Sequence, residues 1–198
     1  MKKLLLLPLF ALLTATTCDV TEDPLEDDLS LIPEAAPGTM SVEADGALLI
    51  LSDRVEGAGN EGCLVTMLAE NFNPDGSSVS VRIRITNVGF ISYALGDYEA
   101  SRPDPCLDVR VLLSYQAAGD DGELVQYSSY NSYNGSGELV VTDFELNFDD
   151  STPDYISGTF TVIGGLVSTP VGSSDEVLEF RGSFTEIPIQ YACPSASC

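Results

Sequence analysis

Two segments, Tyr155-Ile-Ser-Gly-Thr-Phe-Thr-Val-Ile163 and Val177-Leu-Glu-Phe-Arg-Gly-Ser-Phe-Thr-Glu-Ile187, each set a glycine two places before a phenylalanine within alternating apolar and polar residues. Alternation of period two puts every second side chain on one face of a strand. Ile156, Phe160 and Val162 then share a face with Gly158, and Leu178, Phe180 and Phe184 share one with Gly182. The gap left at Gly158 predicts a bulky ring from a neighbouring strand lying across it. Upstream, Glu138 to Phe148 alternates as well. Val140, Thr142, Phe144, Leu146 and Phe148 fall on one side and Leu139, Val141, Asp143, Glu145 and Asn147 on the other, which predicts one buried face.

Working outward, four glycine turns punctuate the earlier sequence. Asp45-Gly46 separates Met40 to Ala44 from Ala47 to Leu51, and Pro74-Asp75-Gly76 separates Cys63 to Phe72 from Ser78 to Asn87. Asp121-Gly122 separates Leu107 to Gln116 from Glu123 to Asn131, and Asn134-Gly135 leads into the Glu138 strand. Each is a hairpin signal, because Asn, Asp and Gly tolerate the positive φ of tight turns. The expected fold is all-β, an antiparallel meander of about nine or ten strands forming a β-sandwich, with a β-barrel as the alternative. Val79 to Thr86 is the clearest strand of the first half, with Val79, Val81, Ile83 and Ile85 inside and Ser80, Arg82, Arg84 and Thr86 outside. Arg82 and Arg84 are expected to pair with acids on neighbouring strands rather than to bind an anion.

The 198-residue chain carries a formal charge of −23, and its only lysines are Lys2 and Lys3. Such a surface repels nucleic acid and anionic lipid, so neither is expected as a direct partner. The chain has no His and no Trp. That removes Ser-His-Asp and Cys-His catalysis and imidazole metal sites, leaving carboxylate pairs as the remaining catalytic groups. No activity is expected; a glycosidase would need two acids about 5 to 10 Å apart in a cleft.

Residues 1–17 have two lysines, an apolar run of about ten residues and a small-residue end, the pattern of an export signal too short to span a bilayer. The stretch closes on Cys18, as bacterial lipoprotein signals do, so an acylated Cys18 is expected to tie the chain to the lipid bilayer of the outer membrane. The other cysteines, Cys63, Cys106, Cys193 and Cys198, are an even number in an exported setting. Three pairings are possible, with Cys63–Cys106 and Cys193–Cys198 the expectation. Residues 18–38 hold seven acids and no base, with Pro24, Pro33 and Pro37, and read as a flexible tether. The expected β-sandwich domain is 39–191, with a tail at 192–198.

With the strands placed, the chain resembles a family of short lipid-anchored proteins of Bacteroidota-type bacteria that has no established activity. The likeness rests on the two-lysine leader ending in Cys, Ile91-Ser-Tyr-Ala-Leu-Gly-Asp-Tyr98, Gly137-Glu-Leu-Val-Val-Thr142, Ile156-Ser-Gly-Thr-Phe160 and Gly182-Ser-Phe184. It covers about Met40 to Ile189 and implies location and fold only.

Three features are candidates for binding. Tyr127, Tyr130 and Tyr133, interleaved with Ser and Asn, form a polar aromatic patch suited to stacking on sugars or protein partners. Asp149, Asp150 and Asp154 crowd one connection, and Asp120, Asp121 and Glu123 another; hard cations such as calcium accept such oxygens. The bland reading of these acids is a solvated turn, and no cofactor is expected. Gly164 to Asp175 is a long connection rich in Gly, Ser and Thr. Asn71-Phe-Asn-Pro-Asp-Gly76 imitates a calcium loop but places Arg82 where its last acidic ligand belongs, so it is read as a turn. The functional expectation is a non-enzymatic, lipid-anchored envelope protein binding an unknown protein or glycan; the alternative is a cation-dependent carbohydrate-binding module.

Overall fold

The computed structural model describes residues 32–59, 64–86, 92–96, 109–119, 122–145, 154–167 and 170–191. Among them lie eleven strands, β1 Thr39–Ala44, β2 Ala47–Leu51, β3 Arg54–Gly59, β4 Leu64–Phe72, β5 Ser78–Thr86, β6 Ser92–Leu95, β7 Arg110–Gln116, β8 Leu124–Ser128, β9 Ser136–Glu145, β10 Asp154–Leu166 and β11 Val177–Tyr191. The all-β reading holds.

The eleven strands form one hydrogen-bonded sheet, in which a six-stranded run, β2-β1-β11-β10-β9-β6, and a five-stranded run, β3-β4-β5-β7-β8, make two layers. Two seams join them. At one, Gly165 and Leu166 of β10 pair with Ser128 and Tyr127 of β8; at the other, the end of β11 pairs with β3 through Ile189↔Gly57. Hydrogen bonding thus runs in a ring through β3, β4, β5, β7, β8, β10 and β11, so sandwich and barrel merge in one structure. The β11–β3 pair is parallel, a departure from the expected antiparallel meander.

Beside the ring's seam, β10 keeps its phase while both of its long neighbours, β9 and β11, break theirs. Asp154, Ile156, Gly158, Phe160, Val162 and Gly164 of β10 all face inward. Beside them, β9 holds one extra residue at Thr142, between Ser157↔Asp143 and Gly158↔Val141. On the other flank β11 holds one extra residue between Ile156↔Ile187 and Gly158↔Phe184. Glu186 there takes φ 48°, and its N–H donates to Ser157 Oγ at 2.9 Å. A bulge adds local twist and flips the face that later residues present. β11 therefore buries Phe180 and Phe184, then Ile187 and Ile189, as it bends across to β3. The same effect corrects the single buried face expected for β9. Leu139 and Val141 are buried ahead of the bulge, and Phe144 packs against the core after it.

The glycine–ring expectation holds, and reciprocally. Gly158 pairs with Phe184, and Gly182 with Phe160. A methyl group on Gly158 would lie 2.5 Å from Cζ of Phe184, and one on Gly182 2.7 Å from Cζ of Phe160. Each ring fills the side-chain place that the opposite strand leaves vacant. Phe160 also meets Phe180 edge-on, with centroids 6.3 Å apart, a geometry worth about 0.5 to 1.5 kcal/mol beyond area burial.

Asp45 (φ 50°) and Gly46 (φ 71°) form the primed turn joining β1 to β2. Asn134 is also left-handed (φ 64°), but Asn134-Gly135 is not a hairpin, which corrects that expectation. β8 pairs with β7 and β10, whereas β9 pairs with β10 and β6, so the chain changes layers here through a 3₁₀ turn at Asn131–Tyr133. At the other end, residues 32–38 lie on β11: Ser183 Oγ donates to Pro33 O at 2.5 Å, and Gly38 N to Thr185 O at 2.7 Å. The compact unit accordingly begins at Ile32, ahead of the boundary expected at 39.

Candidate functional site

The tyrosine segment forms where the chain leaves β8 and crosses layers. Tyr127 is half-buried against the core, and its hydroxyl donates to Glu176 Oε1 at 2.6 Å. That bond to a carboxylate, then burial, push its pKa up to about 12, since ionising the phenol would set two negative charges side by side. Tyr130 stacks under Arg110, whose guanidinium carbon lies 5.3 Å from the ring centroid. Tyr133 sits in the 3₁₀ turn with its backbone wedged on β10, so close that a methyl group on Gly165 would lie 1.4 Å from its carbonyl oxygen. The connection after β10 packs beside them. Asn134 Nδ2 donates to Ser174 O at 3.4 Å, and Val167 N to Gln126 O at 2.8 Å. β10 itself continues to Leu166, so Gly164 and Gly165 belong to the strand rather than to that connection. Tyr127 and Tyr130 are thus engaged with groups of their own chain.

The acidic candidates lie elsewhere. Asp154 begins β10 as a buried residue, 3% exposed, opposite Ile189, so it is not a solvated turn acid. At about 3.3 Å per residue it stands roughly 35 Å along the strand from the tyrosine end. Asp149 and Asp150 lie outside the described residues, as do Asp120, Asp121, Cys18, Cys63, Cys106, Cys193 and Cys198. Among the described residues no three carboxylate, thiol or imidazole side chains come together as a metal site would require. Of the arginines, Arg54 pairs with Glu56 at 2.8 Å and Arg181 with Glu43 at 3.1 Å. Arg84 stands opposite Arg110 in register, and Arg82 opposite Leu112 and Leu68.

Two concavities emerge that the motifs did not announce. One is a hollow of about 260 Å³ on the outer face of the five-stranded layer. Register explains it. Ser78, Ser80 and Ser114 lie in adjacent rows, and longer side chains, Glu70, Arg82, Gln116 and Gln126, ring these small ones.

The other is an open cleft of about 560 Å³ at the end of the sandwich, between β2 and the β4–β5 and β7–β8 hairpins. Val79, Tyr115 and Val125 supply apolar surface, and Asn71, Asn73, Ser77 and Glu123 polar surface. Its remaining wall is β2, Ala47-Leu-Leu-Ile-Leu51, the end strand of its layer. Leu48 and Ile50 are 58% and 55% exposed. Burial, and then the charge of Asp45, raise the Tyr115 pKa. An all-aliphatic edge strand was the available sequence signal.

No family model, curated protein or solved structure matches this chain.

Proposed function

We propose that this protein is a non-enzymatic binding domain, held at the cell envelope by lipid on Cys18, which meets its partner at the sandwich end bearing β2. The carrying observation is the open cleft of about 560 Å³ beside the exposed Leu48 and Ile50. Monomeric soluble proteins rarely expose contiguous apolar surface without a use for it. The chain's lack of histidine, and of lysine beyond the leader, supports binding rather than proton-transfer chemistry.

A second reading, carbohydrate binding, draws support from the serine-floored hollow ringed by amide, carboxylate and guanidinium groups, all able to bond hydroxyls. Phe72, 56% exposed, pairs with Ser78 beside that hollow and offers a ring face.

The test uses the full chain in mild detergent. Panels of extended peptides and of oligosaccharides should include ligands that raise its melting temperature, while glycosidase, esterase and peptidase substrates should be left unchanged. Turnover that copurifies with the chain overturns the reading, as do panels without any ligand. Incorporation of a labelled fatty acid should be lost in Cys18→Ser; labelling that survives the substitution removes the anchor.

A further inference from the structure

The hairpin of β1 and β2 fixes which backbone groups of β2 are free. Its two-residue turn makes Ala44↔Ala47 the closing pair, so Val42↔Leu49 and Met40↔Leu51 are the pairs that exchange hydrogen bonds. Leu48 and Ile50 fall between them, and their N–H and C=O groups point away from β1. One of these is taken: Asn71 Nδ2 donates to Ile50 O, while Asn71 Oδ1 accepts from Ser52 N at 2.7 Å. Among the described residues no partner takes Leu48 N–H, Leu48 C=O or Ile50 N–H, which face the cleft.

A free edge of this kind is a template for another strand, and folded proteins usually blunt it with charge, proline or a bulge. β2 has none of these. Its neighbours add a charge preference. Asp45, Asp53, Asp75 and Glu123, all exposed, sit on or beside the turns around the cleft, and among the described residues no lysine or arginine lines it. The same acidity disfavours a second copy of this chain, whose formal charge is also −23.

We infer that the free edge of β2 is a β-augmentation site for an extended peptide segment that alternates apolar with lysine or arginine residues. This rests on the reading of the domain as a binder and names its partner class. Main-chain bonds to Leu48 and Ile50 hold the segment, its apolar side chains enter the cleft beside Val79 and Tyr115, and its cations face the acidic turns.

The experiment measures fluorescence anisotropy of a labelled peptide of roughly eight residues alternating valine and lysine, the length of an ordinary strand, against the full chain at low ionic strength. It should bind, and counterparts with glutamate for lysine, or with N-methyl groups on alternate amides, should bind about tenfold more weakly or worse. Leu48→Pro removes an N–H that β1 does not use, so melting should be retained while affinity falls by a similar factor. Equal binding of the N-methylated and parent peptides, which needs no substitution in the protein, overturns the proposal. So do equal binding of the glutamate peptide, unaltered affinity in a folded Leu48→Pro, and sedimentation showing two chains joined through β2. If the probe fails while another ligand still raises the melting temperature, the peptide inference is lost and the binding-domain reading stands.

Discussion

The six-stranded layer ends in two edges of different character. At one end β6, Ser92–Leu95, buries Tyr93 and Leu95 and shows solvent Ser92 and Ala94, with Ser92 Oγ bonded to Glu138 of the adjacent strand. At the other, β2 buries Leu51 and shows solvent Leu48 and Ile50. Both are short, but only β6 pairs a small polar surface with an anchored acid. The difference teaches that an edge in this chain can be made unattractive to other strands, and that β2 was left otherwise.

The edges hang on one centre, so the largest effect is the one that removes the comparison altogether. Phe160 and Phe184 are almost wholly buried, each across the glycine of the other's strand. Phe160→Ala or Phe184→Ala should lower unfolding free energy by about 3 to 5 kcal/mol. Urea denaturation followed by circular dichroism measures it; a loss under about 1 kcal/mol would mean the ring–glycine pairs do not hold the layer together.

Next in size are substitutions that separate the edges. A methyl group on Gly182 would lie 2.2 Å from the carbonyl oxygen of Ser41 in β1, the strand that carries β2. One on Gly158 would lie 2.3 Å from the carbonyl oxygen of Val140 in β9, the strand that carries β6. Backbone cannot move aside as a side-chain end can, so each alanine should cost about 1 to 3 kcal/mol through local displacement. Native-state amide exchange should show Gly182→Ala loosening β1 and β2 while β9 and β6 keep their protection, with Gly158→Ala doing the reverse. Equal loss at both edges in either variant contradicts that division.

A smaller perturbation sharpens the character of β2. Asn71 bonds Ile50 O, Ser52 N and Asp53 N at once, fixing the exit of β2 to β4. Asn71→Ala leaves these groups to water and should cost about 1 kcal/mol. It also opens one more acceptor on the free edge, so strand-like ligands should bind no more weakly despite the loss of stability. Weaker binding would show that Asn71 shapes the site rather than shielding it.

How much of this the sequence disclosed depends on whether a buried row was written in side chains. The Gly-x-Phe rows of β10 and β11 were legible because alternation there is unbroken, and the ring opposite Gly158 followed from the gap. Besides β6, β3 was missed, which is why eleven strands stand among the described residues where about nine or ten were expected. Two of its inward positions are glycines, Gly57 and Gly59, and Ile189 of β11 fills the first: a methyl group on Gly57 would lie 2.5 Å from its Cδ1. A strand whose core comes from another strand leaves no period of its own. The bulges at Thr142 and Glu186 were equally hidden; the alternation from Glu138 to Phe148 runs past Thr142 unbroken, because Leu139, Val140 and Val141 make both faces apolar there. Of the candidate site, the tyrosine segment was seen, but not that Tyr127 and Tyr130 are held by Glu176 and Arg110. The cleft beside β2 arises from three hairpins distant in sequence.

The smallest expected effect serves as a control on the two edges, because it acts at a seam where neither β2 nor β6 takes part. In the folded chain the Tyr127 hydroxyl, bonded to Glu176, has its pKa raised to about 12, whereas an unfolded tyrosine ionises near about 10. Between those values the unfolded chain has released the proton and the folded chain has kept it, so raising the pH favours unfolding. The contribution is fully present below pH 10 and is lost as pH rises through about 12. Solvent screening at this partly exposed site keeps it small. Urea midpoints measured from pH 8 upward should therefore fall more steeply for the unaltered chain than for Tyr127→Phe, the two converging at the alkaline end, while amides of β2 and β6 respond alike in both. The difference isolates this one phenol from the other tyrosines, which titrate in both proteins. A gap between the two chains that stays constant from pH 8 to pH 12 would mean that the bond from Tyr127 in β8 to Glu176, in the connection between β10 and β11, does not hold back ionisation of the phenol.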